Sequence, residues 1–315
     1  MKNLLKKGWR TFGVLAVVMM CVFSSCVQDD DVVFPDPIPL EKIAIDSSFN
    51  EAPILRSIGY TPLGWESVQL GTGVILFKKQ NESTYVFEVV LTQGRKIKAY
   101  YELASGATQA TVSTPSPLFN RRTTNSFTLS SYGWLAAINA SFFSVSDDPT
   151  PLAFFLKKDG AIISTGYSSY SNVDSEKPRK YFAINYSGNT GSAFIGGAQW
   201  TSYLTGNTNA YSDMQERFQS YQNVFAGLDP LLNNKQKTSS VQRTMVGIPS
   251  QGGSTVYILV ASAKTQTAAN SILTDVFGCS DVVMFDGGGS TQFKSGNTNY
   301  YLNASRTLPV IFAIN

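Results

Sequence analysis

Short apolar runs of strand length recur along most of this chain. Residues 74–77, 85–91, 255–261 and 282–285 are apolar at nearly every position and are separated by polar or glycine-rich breaks. Runs of this kind predict β-strands that are buried on both faces. Further strands are expected at 96–103, 134–139, 181–185, 243–248 and 305–314. The pattern therefore predicts a fold whose framework is a sheet.

One segment between two of these runs has helical periodicity instead. Residues 266–277 place four apolar side chains on one face: Ile272, Leu273, Val276 and Phe277. Gly278 follows where a C-terminal cap is expected. Strand, helix and strand within about thirty residues predict a β-α-β crossover that pairs two parallel strands near the C-terminus. With a short helix at 212–218, the prediction is the α+β class: one domain, residues 54–315, on a mixed β-sheet with flanking helices.

Three connecting segments have different character. Residues 105–133 are rich in Ser, Thr, Pro and Asn, and we expect a long loop that carries Arg121 and Arg122. Residues 198–225 are polar and aromatic and contain only the short helix. In contrast, the Asp159-Gly160 pair between two apolar runs is typical of a hairpin turn, so this aspartate is expected to be structural.

The N-terminus has the features of an export signal, residues 1–25. Four basic residues precede ten apolar residues at 14–23, which is short of the ~20 needed to span a bilayer. Small residues directly before Cys26 resemble a bacterial lipoprotein signal, which implies cleavage there and lipidation of its thiol. Residues 26–53 are expected to form a Pro-rich acidic tether. We therefore expect an exported lipoprotein of the outer membrane or cell surface, on the membrane only through its lipid. A soluble secreted chain is the alternative.

Charge and composition exclude several classes of function. Loss of the signal removes four of 25 basic residues and none of 22 acidic ones, leaving 21 against 22 and a net charge of −1. This balance gives no support for a nucleic-acid partner. The chain has no histidine, which excludes a Ser-His-Asp or Cys-His nucleophile and a His-ligated zinc site. Cys21 leaves with the signal and Cys26 is expected to carry lipid, so Cys279 is expected to have no intramolecular disulfide partner and no disulfide framework is predicted.

The most informative motif follows the apolar run at 282–285. Asp286 stands where this strand leaves the sheet, a usual place for a functional side chain. Five small residues follow it: Gly287, Gly288, Gly289, Ser290 and Thr291. Consecutive glycines let a ligand approach the backbone, and free N–H groups in such a turn bind anions. The motif is not a nucleotide P-loop, because no Gly-Lys-Ser/Thr follows. It predicts a ligand site; a structural Asp-Gly turn is the alternative.

Three separated segments together resemble the phosphodiester glycosidase family. They are residues 137–143 with Asn139 and Phe142, residues 243–248 with Arg243 and Thr244, and residues 283–291 with the Asp286 motif. Arg306 and the closing strand are also similar to that family. The resemblance implies a hydrolase that cleaves a sugar-1-phosphodiester, such as an N-acetylglucosamine-1-phosphodiester, in an extracellular glycan, with no cofactor and no metal. Ala140 stands where the family favours glycine, so the substrate itself does not carry over.

This chemistry assigns roles to the site residues. Cleavage at an anomeric carbon needs a carboxylate near an oxocarbenium-like centre and donors on the phosphate. Asp286 fits the first role, and Arg243 and Arg306 fit the second. Asn139 is expected to hold a sugar hydroxyl or acetamido group. Further substrate contacts are expected from Gly287, Gly288, Gly289, Ser290, Thr291, Thr244 and Phe142. The second carboxylate is unassigned among Glu88, Glu102, Asp213 and Asp229.

Two other classes of function stay open at this point. A non-catalytic glycan-binding lipoprotein fits the aromatic composition, with 15 Tyr and 20 Phe, and the surface tether equally well. A metal-dependent phosphodiesterase would need an oxygen-rich cluster of several carboxylates, which is not visible in the sequence. Convergence of Asp286, Arg243 and Arg306 in one concave pocket would favour the enzyme over a binding platform of exposed aromatic residues.

Overall fold

Strands dominate the part of the chain that the computed structural model describes, which is residues 61–92, 94–107, 117–166, 179–198 and 210–315. The strands in these residues are β1 (Trp65–Gly71), β2 (Val74–Lys79), β3 (Thr84–Val90), β4 (Ile97–Leu103), β5 (Leu118–Asn120), β6 (Ala136–Asn139), β7 (Thr150–Pro151), β8 (Leu156–Lys158), β9 (Ala161–Ser164), β10 (Arg179–Ser187), β11 (Thr190–Ala198), β12 (Asn223–Leu228), β13 (Val241–Ile248), β14 (Thr255–Lys264), β15 (Asp281–Phe285), β16 (Phe293–Ser295), β17 (Tyr301–Leu302) and β18 (Val310–Ile314). The expected signal peptide, Cys26 and the tether lie outside the described residues.

Helices are few and short in the part of the chain that the structure describes. They are α1 (Leu129–Tyr132), α2 (Ala210–Arg217) and α3 (Gln266–Ser271), which continues as a π turn over Ile272–Val276, and two 3₁₀ turns, Thr124–Ser126 and Gly288–Ser290. The predicted helix at 266–277 is confirmed. Thr265 caps it by accepting a 3.1 Å hydrogen bond from Ala268 N, and Gly278 ends it at φ 67°. None of the described helices has the length and apolar content that crossing a membrane would require.

Two sheets and a helical layer form the described fold. The large sheet has the order β1-β2-β3-β14-β13-β15-β12-β10-β11, with β8 on β12 and β9 on β8, and the small sheet has the order β17-β16-β6-β18-β4-β5-β7. Alternate residues of β14 point in opposite directions: Ile258 joins the core between the sheets, and Leu259 joins a second core beneath the helices. Both are fully buried, which confirms the prediction of strands buried on two faces.

The pairing of the strands corrects one expectation. Every pairing between named strands of the described residues is antiparallel, so the expected mixed sheet is wrong there. β14 and β15 lie on either side of β13, and each is antiparallel to it. They therefore run parallel to each other without pairing. The strand–helix–strand order was predicted correctly, but local periodicity does not reveal that another strand fills the gap.

Strands poor in large apolar residues were not predicted. β11 lies in the glycine-rich segment, where Gly196 leaves room for the Tyr181 ring of the adjacent strand. β12 was missed for a different reason: it contains Val224, Phe225 and Leu228, but it begins at the end of the segment 198–225, which was expected to be mainly polar. The expected loop at 105–133 contains β5, a 3₁₀ turn and α1, and residues 108–116 lie outside the description. The hairpin turn at Asp159-Gly160 between β8 and β9 is confirmed, with φ of 48° and 87°.

Candidate active site

A cavity of about 230 Å³ opens where β15 ends. β15 lies between β13 and β12 near the middle of the large sheet, and its apolar side chains fill both cores, so the first polar position falls at the sheet end. The cavity is lined by Phe142, Phe143, Val145, Lys235, Gln236, Arg243, Met284, Phe285, Asp286, Gly287, Gly288, Gly289 and Arg306. Three of the four residues assigned to chemistry from the sequence therefore face one space.

Asp286 supplies the carboxylate of this cavity. Its Oδ1 accepts a 3.0 Å hydrogen bond from Gly287 N, so it also caps the glycine turn, as the structural alternative expected. Burial raises the pKa of Asp286 from its usual 3.8 to about 6, against hydrogen bonding from Ser290 and the positive charges of Arg306 and Lys235. A carboxyl group that titrates near neutral pH is typical of functional sites.

Arg306 presents its guanidinium to the same space. Nη1 donates to Ser290 Oγ at 3.1 Å, while Nε and Nη2 make no hydrogen bond within the described residues. Those two atoms form the edge that binds a phosphate or carboxylate bidentately. The guanidinium packs against Gly289, where an added Cβ would lie 3.0 Å from Nη2. A side chain at this third glycine would therefore force the Arg306 guanidinium to shift from its present position.

Arg243 differs from Arg306 because most of its guanidinium is bound by the protein. It is 3% exposed, and its guanidinium donates to three backbone carbonyls: Nε to Lys264 O at 3.0 Å, and Nη2 to Gln236 O at 2.5 Å and Ser239 O at 2.9 Å. Nη1 contacts Met284 Sδ at 3.8 Å. The bidentate edge is thus occupied by the protein, and only Nη1 remains for a ligand. Burial lowers the pKa of Arg243, but a guanidinium stays charged, so the group adds positive charge without a carboxylate partner among the described residues.

Asn139 lies behind the cavity rather than in its lining. It is fully buried at the end of β6 in the small sheet. Its Nδ2 donates to Asp286 O at 2.7 Å, and its Oδ1 accepts from Thr244 Oγ1 at 2.7 Å and Gln292 N at 3.2 Å. Both ends of the amide are therefore used by the protein. Asn139 and Thr244 together fix the backbone of Asp286 across the junction of the two sheets.

Gln292 extends this support to Arg306 and was not singled out from the sequence. Its Nε2 donates to Arg306 O at 2.7 Å, and its Oε1 accepts from Thr124 N at 2.8 Å. It is 1% exposed. Ser290 and Thr291, expected to contact substrate, are likewise buried behind the cavity wall. Phe142 and the three glycines lie in the cavity lining.

Positive charge exceeds negative charge in the cavity. Among the described residues that line it, Lys235, Arg243 and Arg306 face one acidic residue, Asp286. Lys235 lies in the connection between β12 and β13, which no sequence motif marks. Of the four candidates for a second carboxylate, the side chain of Asp213 lies outside the description, and three bind elsewhere: Glu88 accepts from Tyr257 OH, Glu102 pairs with Arg122, and Asp229 caps the backbone at 231–232. The described residues contain no group of three or more metal-ligating side chains.

The described fold has two antiparallel sheets, and the glycine-rich end of β15 brings one partly buried acid and two arginines to one cavity. A family model described as phosphodiester glycosidase matches residues 132–315, more than half of the chain. The protein therefore belongs to the phosphodiester glycosidase family, as the sequence motifs predicted. The match includes the whole Asp286 motif, Arg243 and Arg306. No curated protein matches the chain.

Three solved structures are similar to this chain at low identity. A hypothetical protein from Synechocystis is 9% identical with a TM-score of 0.47; the match covers 81% of this chain and 64% of that one. The catalytic domain of zebrafish N-acetylglucosamine-1-phosphodiester alpha-N-acetylglucosaminidase, auto-inhibited by its pro-peptide, is 11% identical with a TM-score of 0.46, over 80% and 81%. A protein of Burkholderia pseudomallei described as exported is 11% identical with a TM-score of 0.45, over 76% and 74%.

Proposed function

We propose that this protein hydrolyses a sugar-1-phosphodiester, with Asp286 at the anomeric carbon and the cationic side of the cavity on the phosphate. The observation that carries the proposal is the convergence of one desolvated carboxylate and three cations on one cavity. Membership of the phosphodiester glycosidase family supports the same reaction class. The convergence also favours a catalytic site over a non-catalytic glycan-binding platform, which needs no such grouping.

The charges suit the reaction that is proposed. Water adds to the anomeric carbon and releases one proton to solvent, while the bond from that carbon to the phosphate oxygen breaks. The diester monoanion thereby becomes a phosphomonoester with one more negative charge. Donors aimed at the phosphate bind this developing charge more tightly in the transition state than in the ground state, and such differential binding accelerates a reaction. The open edge of Arg306, Nη1 of Arg243 and the N–H groups of Gly288 and Gly289 are the donors in place.

One carboxylate is enough for this leaving group. Glycosidases that expel a sugar alkoxide need a second carboxyl group to protonate it. A phosphate leaves without that proton, so the absence of another acid from the cavity lining of the described residues fits the proposal. Asp286 would then stabilise or attack the oxocarbenium-like centre in its ionised form. Since its pKa is about 6, kcat/KM should fall as the pH drops through that value.

A screen of sugar-1-phosphodiesters against the purified protein, with and without a chelator, tests the proposal. Asp286→Asn keeps the size and the Gly287 hydrogen bond but removes the charge, so turnover should fall ~10²-fold or more. The mature chain is proposed to act from the membrane surface through a lipid on Cys26, on a phosphorylated glycan or sugar phosphate. Full activity of Asp286→Asn would remove the assigned role, and loss of activity in chelator would favour a metal-dependent phosphodiesterase.

A further inference from the structure

Two chain segments beside the cavity are each held by an arginine side chain that donates hydrogen bonds to backbone carbonyls of the segment. On one side, Arg243 donates to Gln236 O and Ser239 O in the connection that follows β12. On the other side, Arg121 Nη1 donates to Val145 O at 3.3 Å and to Asp147 O at 2.7 Å. Val145 lies in the cavity lining, and Arg121 itself does not. Arg121 therefore acts on the cavity only through other residues.

Two further contacts join Arg121 to the segment after Arg306 and to a residue of the cavity lining. Its Nε donates to Thr307 O at 3.3 Å, directly after Arg306 in the chain. Its Cζ lies 5.1 Å from the ring centroid of Phe143, which lines the cavity and is 4% exposed. One guanidinium thus connects the wall formed by Phe143 and Val145 to the segment that carries the open donor edge of Arg306.

We infer that Arg121 is a positioning residue that fixes the distance between the Phe143–Val145 wall and the Arg306 guanidinium. The inference rests on the proposed function, because it assigns Arg306 to the phosphate. The planar fork of Arg121 reaches carbonyls on two chain segments while its Cζ lies over the Phe143 ring, and the point charge of a lysine does not provide this geometry. Arg121 makes no ion pair with a described carboxylate, so its positive charge is not neutralised by one. The competing explanation is that this charge alone, without the hydrogen bonds, strengthens phosphate binding.

The neighbouring arginine offers a matched control. Arg122 pairs with Glu102 at 2.6 Å, and its guanidinium lies 5.4 Å from the Phe127 ring, away from the cavity lining. Its backbone, not its side chain, forms the bridge to Leu308. Arg122→Lys should therefore leave ligand affinity unchanged, while Arg121→Lys and Arg121→Gln should both weaken it.

The experiment measures binding of inorganic phosphate by calorimetry and steady-state kinetics on the best sugar-1-phosphodiester, after circular dichroism has verified the fold of each variant. Loss of one charge-assisted contact corresponds to roughly a tenfold change. We expect the phosphate Kd to rise by about this factor in both Arg121 variants and kcat/KM to fall by at least the same factor, because a displaced Arg306 contacts the phosphate less well in the ground state and in the transition state.

Each outcome decides the inference. Wild-type affinity in Arg121→Lys with a loss in Arg121→Gln would assign the effect to charge and overturn it. Equal values in the Arg121 variants and Arg122→Lys would also overturn it, as would a wild-type protein that does not bind phosphate. If Arg121→Gln does not fold, Arg121→Lys decides alone. Phosphate binding that weakens as expected, in a protein that turns over no phosphodiester, would support the positioning role while the proposed function fails.

Discussion

Replacement of Asp286 by Asn should stabilise the protein at neutral pH while it reduces activity. The folded protein holds this carboxyl group with a pKa of about 6, against its usual 3.8. Between these values the folded state binds a proton that the unfolded state has lost, so the stability of the wild type falls as the pH rises through this window. Asn does not titrate and resembles the neutral acid, so the variant lacks that fall.

The size of the effect follows from the same two values. The difference between 3.8 and about 6, at about 1.4 kcal/mol for each pKa unit, corresponds to an upper value of about 3 kcal/mol above pH 6. For a domain of this size the melting temperature changes by roughly 2–4 °C for each kcal/mol. Below pH 3.8 the two proteins should have the same stability, since Asp286 is then protonated in both states of the wild type.

Denaturant unfolding of both proteins at several pH values between about 4 and 7.5 measures this difference directly. Asp159→Asn, at a hairpin turn where the side chain is 54% exposed, is the control and should show no such gain. A difference that does not grow with pH, or a variant less stable than the wild type at pH 7.5, would refute the account of Asp286 as a desolvated acid.

Three further predictions concern other parts of the chain. Gly289→Ala should displace the Arg306 guanidinium and weaken phosphate binding in calorimetry, because the added Cβ would lie 3.0 Å from Nη2. In the control Gly288→Ala, the added Cβ meets no atom within 4 Å, so the variant should lose only about 1 kcal/mol of stability for its φ of 57°. Asn139→Asp should lower the free energy of unfolding by several kcal/mol, since it buries a charge and removes the donor to Asp286 O; a near-neutral result in denaturant unfolding would contradict the buried clamp. Mass spectrometry of the membrane fraction should find Cys26 as a lipidated N-terminus, and any other mature N-terminus would exclude the anchor.

The local pattern of apolar residues was sufficient to predict that Asp286 lies at a strand end. The run at 282–285 is apolar on both faces and ends in a carboxylate, so its place at the end of a central strand followed from the residues alone. The helix from Gln266 onward was equally readable, because its periodicity and its Gly278 cap are local signals. These features are determined within about a dozen neighbouring residues.

The environment of each side chain was not readable from the sequence. Arg243 was expected to present its fork to a phosphate, yet its fork is occupied by carbonyls of residues 236, 239 and 264. Asn139 was expected to face a sugar, yet it joins the two sheets. Apart from Thr244 Oγ1 and Met284 Sδ, the partners of these two side chains are backbone atoms, which residues of almost any type at those positions would provide. No sequence motif marks such contacts, and Lys235, Gln292 and Arg121 were likewise not predicted as parts of the site.

The pairing of early and late strands sets the smallest piece of this chain that can fold. The family match begins at residue 132 and includes the residues proposed for catalysis. Yet β14 takes one neighbour from β3, and β18 takes one from β4, both of which precede the match. A fragment cut at the family boundary would leave two strands, each buried on both faces, with open edges that invite association with other chains. The region that matches the family is therefore shorter than the region that can fold by itself. An engineered fragment has to include the early strands as well as the family match.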